Sequence, residues 1–451
     1  MQRIINRKRN NMLRMVIGIS CLFALLSTMQ VHAQDDDPKG EIFIDAKPGN
    51  KNAVFTDGSS ITWKLKVKST YKVKQEGKLS YDLLTDDWKK VWSGSTNVRL
   101  GKNSSSTYSV RIPKQGAGIY RVHFNFNLSY YDDTVRRVVA VDPEKITTEL
   151  HKPEDFAEFW SKSKDQLAKI NPDYKISEVQ SKNPDVRVYK VEMRSWNNVK
   201  IRGWLTVPTQ GRNWPVIYKL PGYNIPMRPE TDKPDFAVFS IDVRGNGMSR
   251  DVVAPESDRY NITNIENKDL YIYHGVYMDC LRGLDFIMSH GNLSLNTNRV
   301  AVLGGSQGAT LAIVVAALDK RVTACTFELP LYADMHDAYT IGTSFPKTTW
   351  PVNRFQDYVK LHRGFSSARF LSLWDYYDPQ NFIGLVSCPV LMGVGLLDEY
   401  CPPRCSFGMY NKIANNVQKE YRVAPDKAHE MNFDYFMFQL LWLKESLRAP
   451  N

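Results

Sequence analysis

Residues 300–318 read VAVLGGSQGATLAIVVAAL, and this stretch decides the fold class of the chain. Its apolar beginning predicts a buried strand, and its end, Gln307–Leu318, predicts a helix. Between the two lies Ser306, flanked by glycines that permit a turn too sharp for residues with a Cβ atom. Such a strand–turn–helix holds a serine hydroxyl clear of the backbone. We therefore expect Ser306 to be a nucleophile and Gly304 and Gly308 to be structural residues of its turn.

Two backbone N–H groups are candidates to bind an oxyanion that develops beside this serine. Gln307 begins the helix, where an N–H points outward with no carbonyl partner inside the helix. The loop after the apolar strand Val216–Leu220 supplies the second candidate, the N–H of Tyr223, which follows Gly222. An ordinary loop tyrosine is the alternative interpretation of Tyr223.

A serine becomes a strong nucleophile only when a base takes its proton. In enzymes whose serine lies on such a strand–turn–helix, the base follows the serine in the chain. The histidines after Ser306 are His336, His362 and His429. His429 is the best candidate, because residues 424–430 form a turn-like stretch after the last predicted strand. His336 could instead be a structural or rim residue, and His362 lies in a basic, solvated stretch.

The acid that orients the histidine should lie between serine and histidine in the chain. Asp398 follows the apolar strand Pro389–Val394, and carboxyl ends of parallel strands face the crevice where ligands bind. Asp375 and Asp378 are rivals, but residues 374–379 resemble a helix end and a turn. We therefore predict that Asp398 is the acid.

One arginine calls for a separate interpretation. Arg244 lies in the loop Asp242–Ser249, directly after the predicted strand Phe236–Ile241. It could tie loops together near the site or touch substrate, and we favour the structural role.

Periodicity divides the rest of the chain in two. From residue 148 to 451, short apolar strands alternate with helical patterns, which indicates an α/β domain with a mostly parallel sheet. Residues 38–145 show strict alternation of apolar and polar residues with turn-rich connections, which is typical of an immunoglobulin-like β-sandwich. Its tryptophans could bind sugar, although core packing is favoured for the first of them; they are Trp63, Trp88 and Trp92.

The N-terminus explains much of the formal net charge of +11 on the 451 residues. Residues 1–33 hold five basic and no acidic residues, an apolar run and the small-residue site Val31–Ala33, so we predict a cleaved signal peptide and an exported protein. The apolar run is too short for a stable membrane span, and Cys21 within it could carry a lipid. Residues 34–451 carry the remaining formal net charge of +6, which requires no nucleic-acid partner.

The cysteines indicate neither a disulfide scaffold nor a metal centre. Five remain after Cys21, so full pairing is impossible. Cys401 and Cys405 could pair locally, but no spaced His or Cys accompanies them as a further metal ligand. We expect no metal and no organic cofactor.

Several of these motifs, taken in order, resemble the acetyl xylan esterase and cephalosporin-C deacetylase group, carbohydrate esterase family 7. The resemblance covers about residues 148–448, or roughly two-thirds of the chain, and leaves out the sandwich. It differs at three places from the family pattern, where Asn246, Pro221 and Ala309 replace the usual residues. The motifs that carry it are Arg244-Gly245, Tyr277-Met278-Asp279, Gly304-Gly305-Ser306-Gln307-Gly308, Gly395-Leu396-Leu397-Asp398 and His429-Glu430.

The resemblance implies an α/β-hydrolase fold and a serine esterase with Ser306, Asp398 and His429 as its triad. It also implies an acetylated carbohydrate as substrate and, as a candidate assembly, a homo-oligomer. A peptidase or a longer-chain carboxylesterase on the same fold is an alternative, because fold does not determine substrate. A glycan-binding protein with an inactive hydrolase domain is another.

Overall fold

The computed structural model describes residues 38–448, apart from Asp57 and residues 253–259. The predicted signal peptide, including Cys21, lies outside these described residues. Within them, no helix is both long enough and apolar enough to cross a membrane.

The N-terminal strands form two sheets, which we call the sandwich. They are β1 (Ile42–Pro48), β2 (Val54–Phe55), β3 (Ile61–Ser69), β4 (Gln75–Thr85), β5 (Lys90–Leu100), β6 (Ser105–Ile112), β7 (Gly118–Leu128) and β8 (Tyr131–Val141). One sheet has the order β1-β3-β6 and the other β2-β8-β7-β4-β5. Pairing is antiparallel except between the short β2 and β8. The chain passes repeatedly between the sheets, as expected for an immunoglobulin-like fold.

Alternation along β3 shows why these residues form a sandwich. Leu65 and Val67 are fully buried, whereas the lysines between and beside them are exposed. Trp63 on the same face is 2% exposed, and its ring packs edge-on against Phe124 of the opposite sheet at 5.4 Å. This tryptophan is therefore a core residue, as its position in the pattern predicts.

The second part of the chain is built on one nine-stranded sheet with the order β17-β16-β15-β14-β12-β13-β11-β10-β9. Its strands are β9 (Lys175–Val179), β10 (Val186–Arg194), β11 (Lys200–Pro208), β12 (Trp214–Lys219), β13 (Ala237–Asp242), β14 (Leu295–Gly305), β15 (Ala324–Glu328), β16 (Val390–Gly395) and β17 (Lys419–Ala424). Pairs from β13 to β17 are parallel, and those among β9, β10, β11 and β13 are antiparallel. This mostly parallel sheet confirms the predicted α/β-hydrolase class.

Helices cover the sheet and fill the connections. They are α1 (Phe156–Ala168), α2 (Ile272–Ser289), α3 (Gln307–Leu318), α4 (Met335–Ser344), α5 (Val352–Leu361), α6 (Ser367–Trp374), α7 (Gln380–Ile383), α8 (Pro403–Tyr410) and α9 (Phe433–Ser446). Short 3₁₀ turns span Pro143–Lys145, Trp196–Asn198, Gly247–Val252, Tyr260–Ile262 and Gly291–Leu293. Every residue of α3 except the last is buried, so this helix is apolar all round and lies in the core.

The sheet topology brings several loops to one edge. Strands β12, β14, β15, β16 and β17 are parallel neighbours in the sheet, so the loops that follow them leave at the same end. A crevice at the carboxyl ends of such strands is where ligands bind in open α/β sheets.

Candidate active site

The turn between β14 and α3 has the geometry of a nucleophile elbow. Ser306 has φ 57° and ψ −122°, a conformation that costs free energy for a residue with a side chain. A Cβ atom on Gly304 would lie 2.3 Å from the carbonyl oxygen of Gly308, and one on Gly308 would lie 2.5 Å from that of Leu220. Both glycines are therefore required by close backbone approach, in keeping with the structural role predicted for them.

The structure brings the three predicted triad residues together. His429 Nε2 lies 2.9 Å from Ser306 Oγ, and His429 Nδ1 lies 2.8 Å from Asp398 Oδ2. A carboxylate only accepts, so Nδ1 donates to Asp398 and Nε2 is left to accept the proton of Ser306. The side chain of Asp398 is fully buried, and that of His429 is 25% exposed at the cavity.

The loop after β16 holds Asp398 in place. Its Oδ1 accepts the N–H groups of Tyr400 and Cys401, each over 2.9 Å. Its two oxygens are thus divided between the loop backbone and His429, which fixes the orientation of the carboxylate.

Asp398, Cys401 and His429 place three donor atoms within 4.8 Å of one another. These three residues suit a metal poorly, because Asp398 and His429 already bond to each other. Burial also raises the pKa of the Cys401 thiol well above its ordinary value, and a metal needs the thiolate. The cysteines of the described residues are buried and free, so Cys401 and Cys405 do not pair.

The two residues predicted to donate to the oxyanion belong to the site around Ser306: Gln307 follows it in the chain, and Tyr223 is on the wall of its cavity. Gln307 is the first residue of α3, and its side chain is tied down by the hydroxyl of Tyr273 at 2.6 Å and by the carbonyl of Pro221 at 3.4 Å. The side chain of Gln307 thereby links the start of α3 to the loop that carries Tyr223. Tyr223 lines the same cavity as Ser306.

A cavity of about 600 Å³ opens in front of Ser306. Three rings form one wall: Trp350 packs against Tyr223 at 5.1 Å and against Tyr400 at 5.8 Å between ring centroids. The ring of Tyr400 in turn lies 5.3 Å from that of His429. Apolar side chains form another part of the lining, namely Ile225, Leu329, Met431 and Phe436, and two glutamates, Glu328 and Glu430, also line the cavity.

Comparison with known proteins now places the chain. A model of the family described as acetyl xylan esterase (AXE1) matches residues 144–446, which is more than half of the sequence. The chain belongs to the acetyl xylan esterase family. It is therefore a carboxylic-ester hydrolase of α/β-hydrolase fold.

Individual relatives agree with this family membership. The acetyl esterase Axe7A of Xylanibacter ruminicola is 24% identical over 395 residues, covering 84% of this chain and 85% of that protein. The structure of an acetyl xylan esterase from Paenibacillus sp. R4 is 26% identical, with a TM-score of 0.60 over 67% of this chain and 98% of its own. Acetyl Xylan Esterase 1 from Thermoanaerobacterium sp. JW/SL YS485 is 24% identical, with a TM-score of 0.61 over 68% and 98% of the two chains, and shows a shared fold.

In this family member, Arg244 connects its own loop to helix α2 and to two 3₁₀ turns. Its Nε and Nη2 donate to the two oxygens of the buried Asp279 over 2.9 and 2.7 Å, and Nη2 also donates to the carbonyl of Trp196. The carbonyl of Arg244 accepts the hydroxyl of Tyr260 at 2.8 Å. These contacts leave the guanidinium facing the protein interior, as the structural interpretation predicts.

The rival residues of this esterase lie in other contacts. His336 Nε2 pairs with Asp375 at 2.9 Å, which raises the pKa of His336. His362 is exposed and bonds to its own helix. Asp378 accepts the backbone N–H groups of residues 334, 335 and 380, and burial raises its pKa to about 7.

Trp350, Tyr400 and Glu328 are among the cavity residues that were not singled out from the sequence. Tyr400 lies two residues after Asp398, and Glu328 ends β15, so both occupy carboxyl-end positions that could have drawn attention to them. Trp350 lies in the segment between α4 and α5, which carries no motif.

Proposed function

We propose that this chain is an exported serine esterase that removes acetyl groups from acetylated sugars, in particular xylo-oligosaccharides. The observation that carries the proposal is the continuous hydrogen-bonded line from Ser306 through His429 to Asp398. In this arrangement a hydroxyl that is otherwise a weak nucleophile is activated by a base of fixed orientation. Membership in the acetyl xylan esterase family supports the choice of an acetyl ester on a sugar.

In the first half of the proposed reaction, Ser306 Oγ attacks the acetyl carbonyl while His429 Nε2 takes its proton. Asp398 keeps the Nδ1 proton in place and stabilises the imidazolium that forms. The backbone N–H groups of Gln307 and Tyr223 bind the oxyanion of the tetrahedral intermediate. The bond from the acetyl carbon to the sugar oxygen then breaks, and His429 gives its proton to that oxygen. The acetyl group remains as an ester on Ser306.

The second half returns the enzyme to its starting state. A water molecule gives a proton to His429 and attacks the acetyl carbon of the acetyl-enzyme. The bond to Ser306 Oγ breaks, acetate leaves, and the serine regains its proton from the histidine. The chain itself supplies the nucleophile, base and acid for these steps, so the proposal calls for no metal or organic cofactor.

The aromatic wall suits a sugar as the alcohol part of the ester. Trp350 and Tyr400 present ring surface at the cavity, on the same side as His429. The histidine must reach the departing sugar oxygen, so the sugar lies near this wall. Aromatic side chains with a polar edge pack well against amphipathic ligands.

A longer acyl group is the second candidate, because one observation favours it. The cavity lining includes the apolar side chains of Ile225, Leu329, Met431 and Phe436, and its volume of about 600 Å³ exceeds what an acetyl group fills. Hydrolysis of aryl acetate and aryl butyrate separates the two candidates. The proposal predicts the higher kcat/KM for acetate.

The proposal is tested by acetate release from a panel of acetylated glycans, with xylan-derived oligosaccharides among them. Release from acetylated xylo-oligosaccharides is the expected result. Hydrolysis of aryl esters with no release from any acetylated glycan would contradict the proposed substrate class while leaving the esterase assignment intact.

Export and domain division form part of the same proposal. The parts are a signal peptide at residues 1–33, an accessory sandwich at 38–145 and a catalytic domain at 148–451. Sequencing the N-terminus of the protein from a periplasmic or culture fraction should find Gln34 first. A mature protein that begins at Met1 in the cytoplasmic fraction would contradict the proposed export.

A further inference from the structure

The sandwich lies outside the family match at residues 144–446, and about two-thirds of this chain already covers the solved acetyl xylan esterases almost completely. The alignment with the curated relative covers 84% of this chain. Residues 144–451 alone could not supply that share, so the alignment extends into the sandwich. The role of this region is therefore a separate question from the role of the catalytic domain.

The β4–β5 turn of the sandwich packs on the catalytic domain. The ring of Trp88 in this turn lies 5.3 Å from that of Phe345, edge to face. The guanidinium carbon of Arg121 from β7 lies 4.7 Å from both ring centroids, so it contacts both aromatic residues. Phe345 is 8% exposed, and Trp88 has a φ of 67°, which a bulky residue adopts only where its surroundings hold it.

Charges extend this contact to the loop that holds Asp398. Burial lowers the pKa of Arg121, and the charges of Glu399 and Asp86 oppose that effect. Glu399 directly follows Asp398 in the chain. Asp86, in the same turn as Trp88, also lies 3.8 Å from Arg404 at the start of α8.

Both contacted segments end in the aromatic wall of the cavity. The segment that begins at Phe345 leads to Trp350, and the loop with Glu399 continues into Tyr400. Trp350 and Tyr400 pack against each other at 5.8 Å, and Tyr400 lies beside His429. Phe345 and Glu399, which the sandwich contacts, are thus only a few positions along the chain from Trp350 and Tyr400, two of the rings that face the substrate.

We propose that the sandwich is a positioning domain in which Trp88 and Arg121 hold residues 345–350 and the Glu399–Tyr400 loop, so that Trp350 and Tyr400 form the binding wall for the sugar. The inference rests on the proposed function, since it assigns the wall to the sugar part of the ester. It makes Trp88 and Arg121 determinants of sugar specificity that act through other residues. They contribute nothing to the steps at Ser306.

The test compares W88A with the wild type on acetylated xylo-oligosaccharide and on a small aryl acetate. W92A is the matched control, because Trp92 lies in the same sandwich and packs on Tyr81 at 5.5 Å. We expect W88A to raise KM for the oligosaccharide by about three- to tenfold, which is the change in affinity that corresponds to the interaction free energy of one aromatic pair. Its kcat on the aryl acetate should stay within about twofold of wild type. The substitution weakens only binding that the substrate and the transition state share, and a loss of that kind raises KM without lowering kcat. W88F should restore most of the oligosaccharide KM, and W92A should leave it unchanged.

The partner residue provides a second approach if W88A does not fold. F345A removes the same contact from the catalytic domain and should raise the same KM, and W88A/F345A should raise it no further than one substitution does. An active wild type whose KM responds to neither W88A nor F345A would overturn the inference alone. A wild type that hydrolyses aryl acetate but no acetylated sugar would overturn the proposed function, and this inference with it.

Discussion

The backbone N–H of Ser306 donates to the carbonyl of Glu328 over 3.0 Å, so the last residue of β15 supports the turn that carries the proposed nucleophile. The carboxyl group of Glu328 accepts weaker bonds from Gln439 at 3.3 Å and from the hydroxyl of Tyr435 at 3.5 Å. Burial raises the pKa of this carboxyl to about 7, although Gln439, Lys219 and Tyr435 act to lower it. A titratable acid therefore lies directly behind the serine turn.

This acid makes stability depend on pH in a defined window. Glu328 titrates near its ordinary pKa of 4.5 in the unfolded chain and at about 7 in the folded one. The unfolded state thus loses its proton first, and the contribution of Glu328 to stability falls as pH rises from about 4.5 to about 7. E328Q keeps the hydrogen bonds without titrating. It should gain stability over wild type through this window, up to about 3 kcal/mol at pH 8 and less where cavity water reaches the carboxyl.

Denaturant unfolding of both proteins at pH 5 and pH 8 measures this difference. The exposed Glu158 provides the control for the chemical change from glutamate to glutamine, so the stability of E328Q is compared with that of E158Q at each pH. An advantage of E328Q that is the same at pH 5 and pH 8 would contradict the raised pKa.

D398N should abolish most activity while preserving the fold. An asparagine oxygen can still accept the N–H groups of Tyr400 and Cys401, but its NH₂ group then faces His429 Nδ1. The histidine must accept there and present an Nε2–H to Ser306, so it can no longer take the serine proton. We expect kcat on an aryl acetate to fall by about 10⁴-fold.

The chain contains its own control for this substitution. Asp375 also pairs with a histidine, His336, at 2.9 Å. D375N should therefore retain a kcat close to that of wild type. Equal losses in D398N and D375N would show that the effect of either is structural.

Backbone packing at the nucleophile turn leads to a third prediction. In G308A the new Cβ would lie 2.5 Å from the carbonyl oxygen of Leu220, which is backbone and cannot rotate away. We expect a loss of about 1–3 kcal/mol in unfolding free energy, with a fall in kcat as the turn shifts. Thermal and denaturant unfolding measure the loss. G116A is the control, because nothing lies within 4 Å of a Cβ at that position, and a similar loss there would count against the steric explanation.

Motif and chain order predicted the central part of the site. The helix Gln307–Leu318 is found with the predicted bounds, since a glycine turn precedes it and its apolar run is continuous. Asp398 could be found because it follows a short apolar strand, and His429 because it lies in a turn-like stretch after the last strand. Parallel strands end at one edge of the sheet, so both residues were expected near Ser306. The structure brings both to Ser306, as that reasoning predicts.

Other features leave weaker local signals. Strand β9, with sequence KISEV, is an edge strand with mostly exposed or half-buried residues, so no apolar run marks it. The contact between Trp88 and Phe345 joins distant parts of the chain, and no local pattern predicts such a pairing.

Ser306 is the proposed nucleophile that removes the acetyl group, and the S306A substitution tests this role. The measurement is acetate release from acetylated xylo-oligosaccharide at saturation, with S177A, on the exposed edge strand β9, as the matched control. We expect a loss of at least about 10³-fold in kcat for S306A with an unchanged fold, and wild-type turnover for S177A. Acetate release by folded S306A at a rate close to that of wild type would contradict this role.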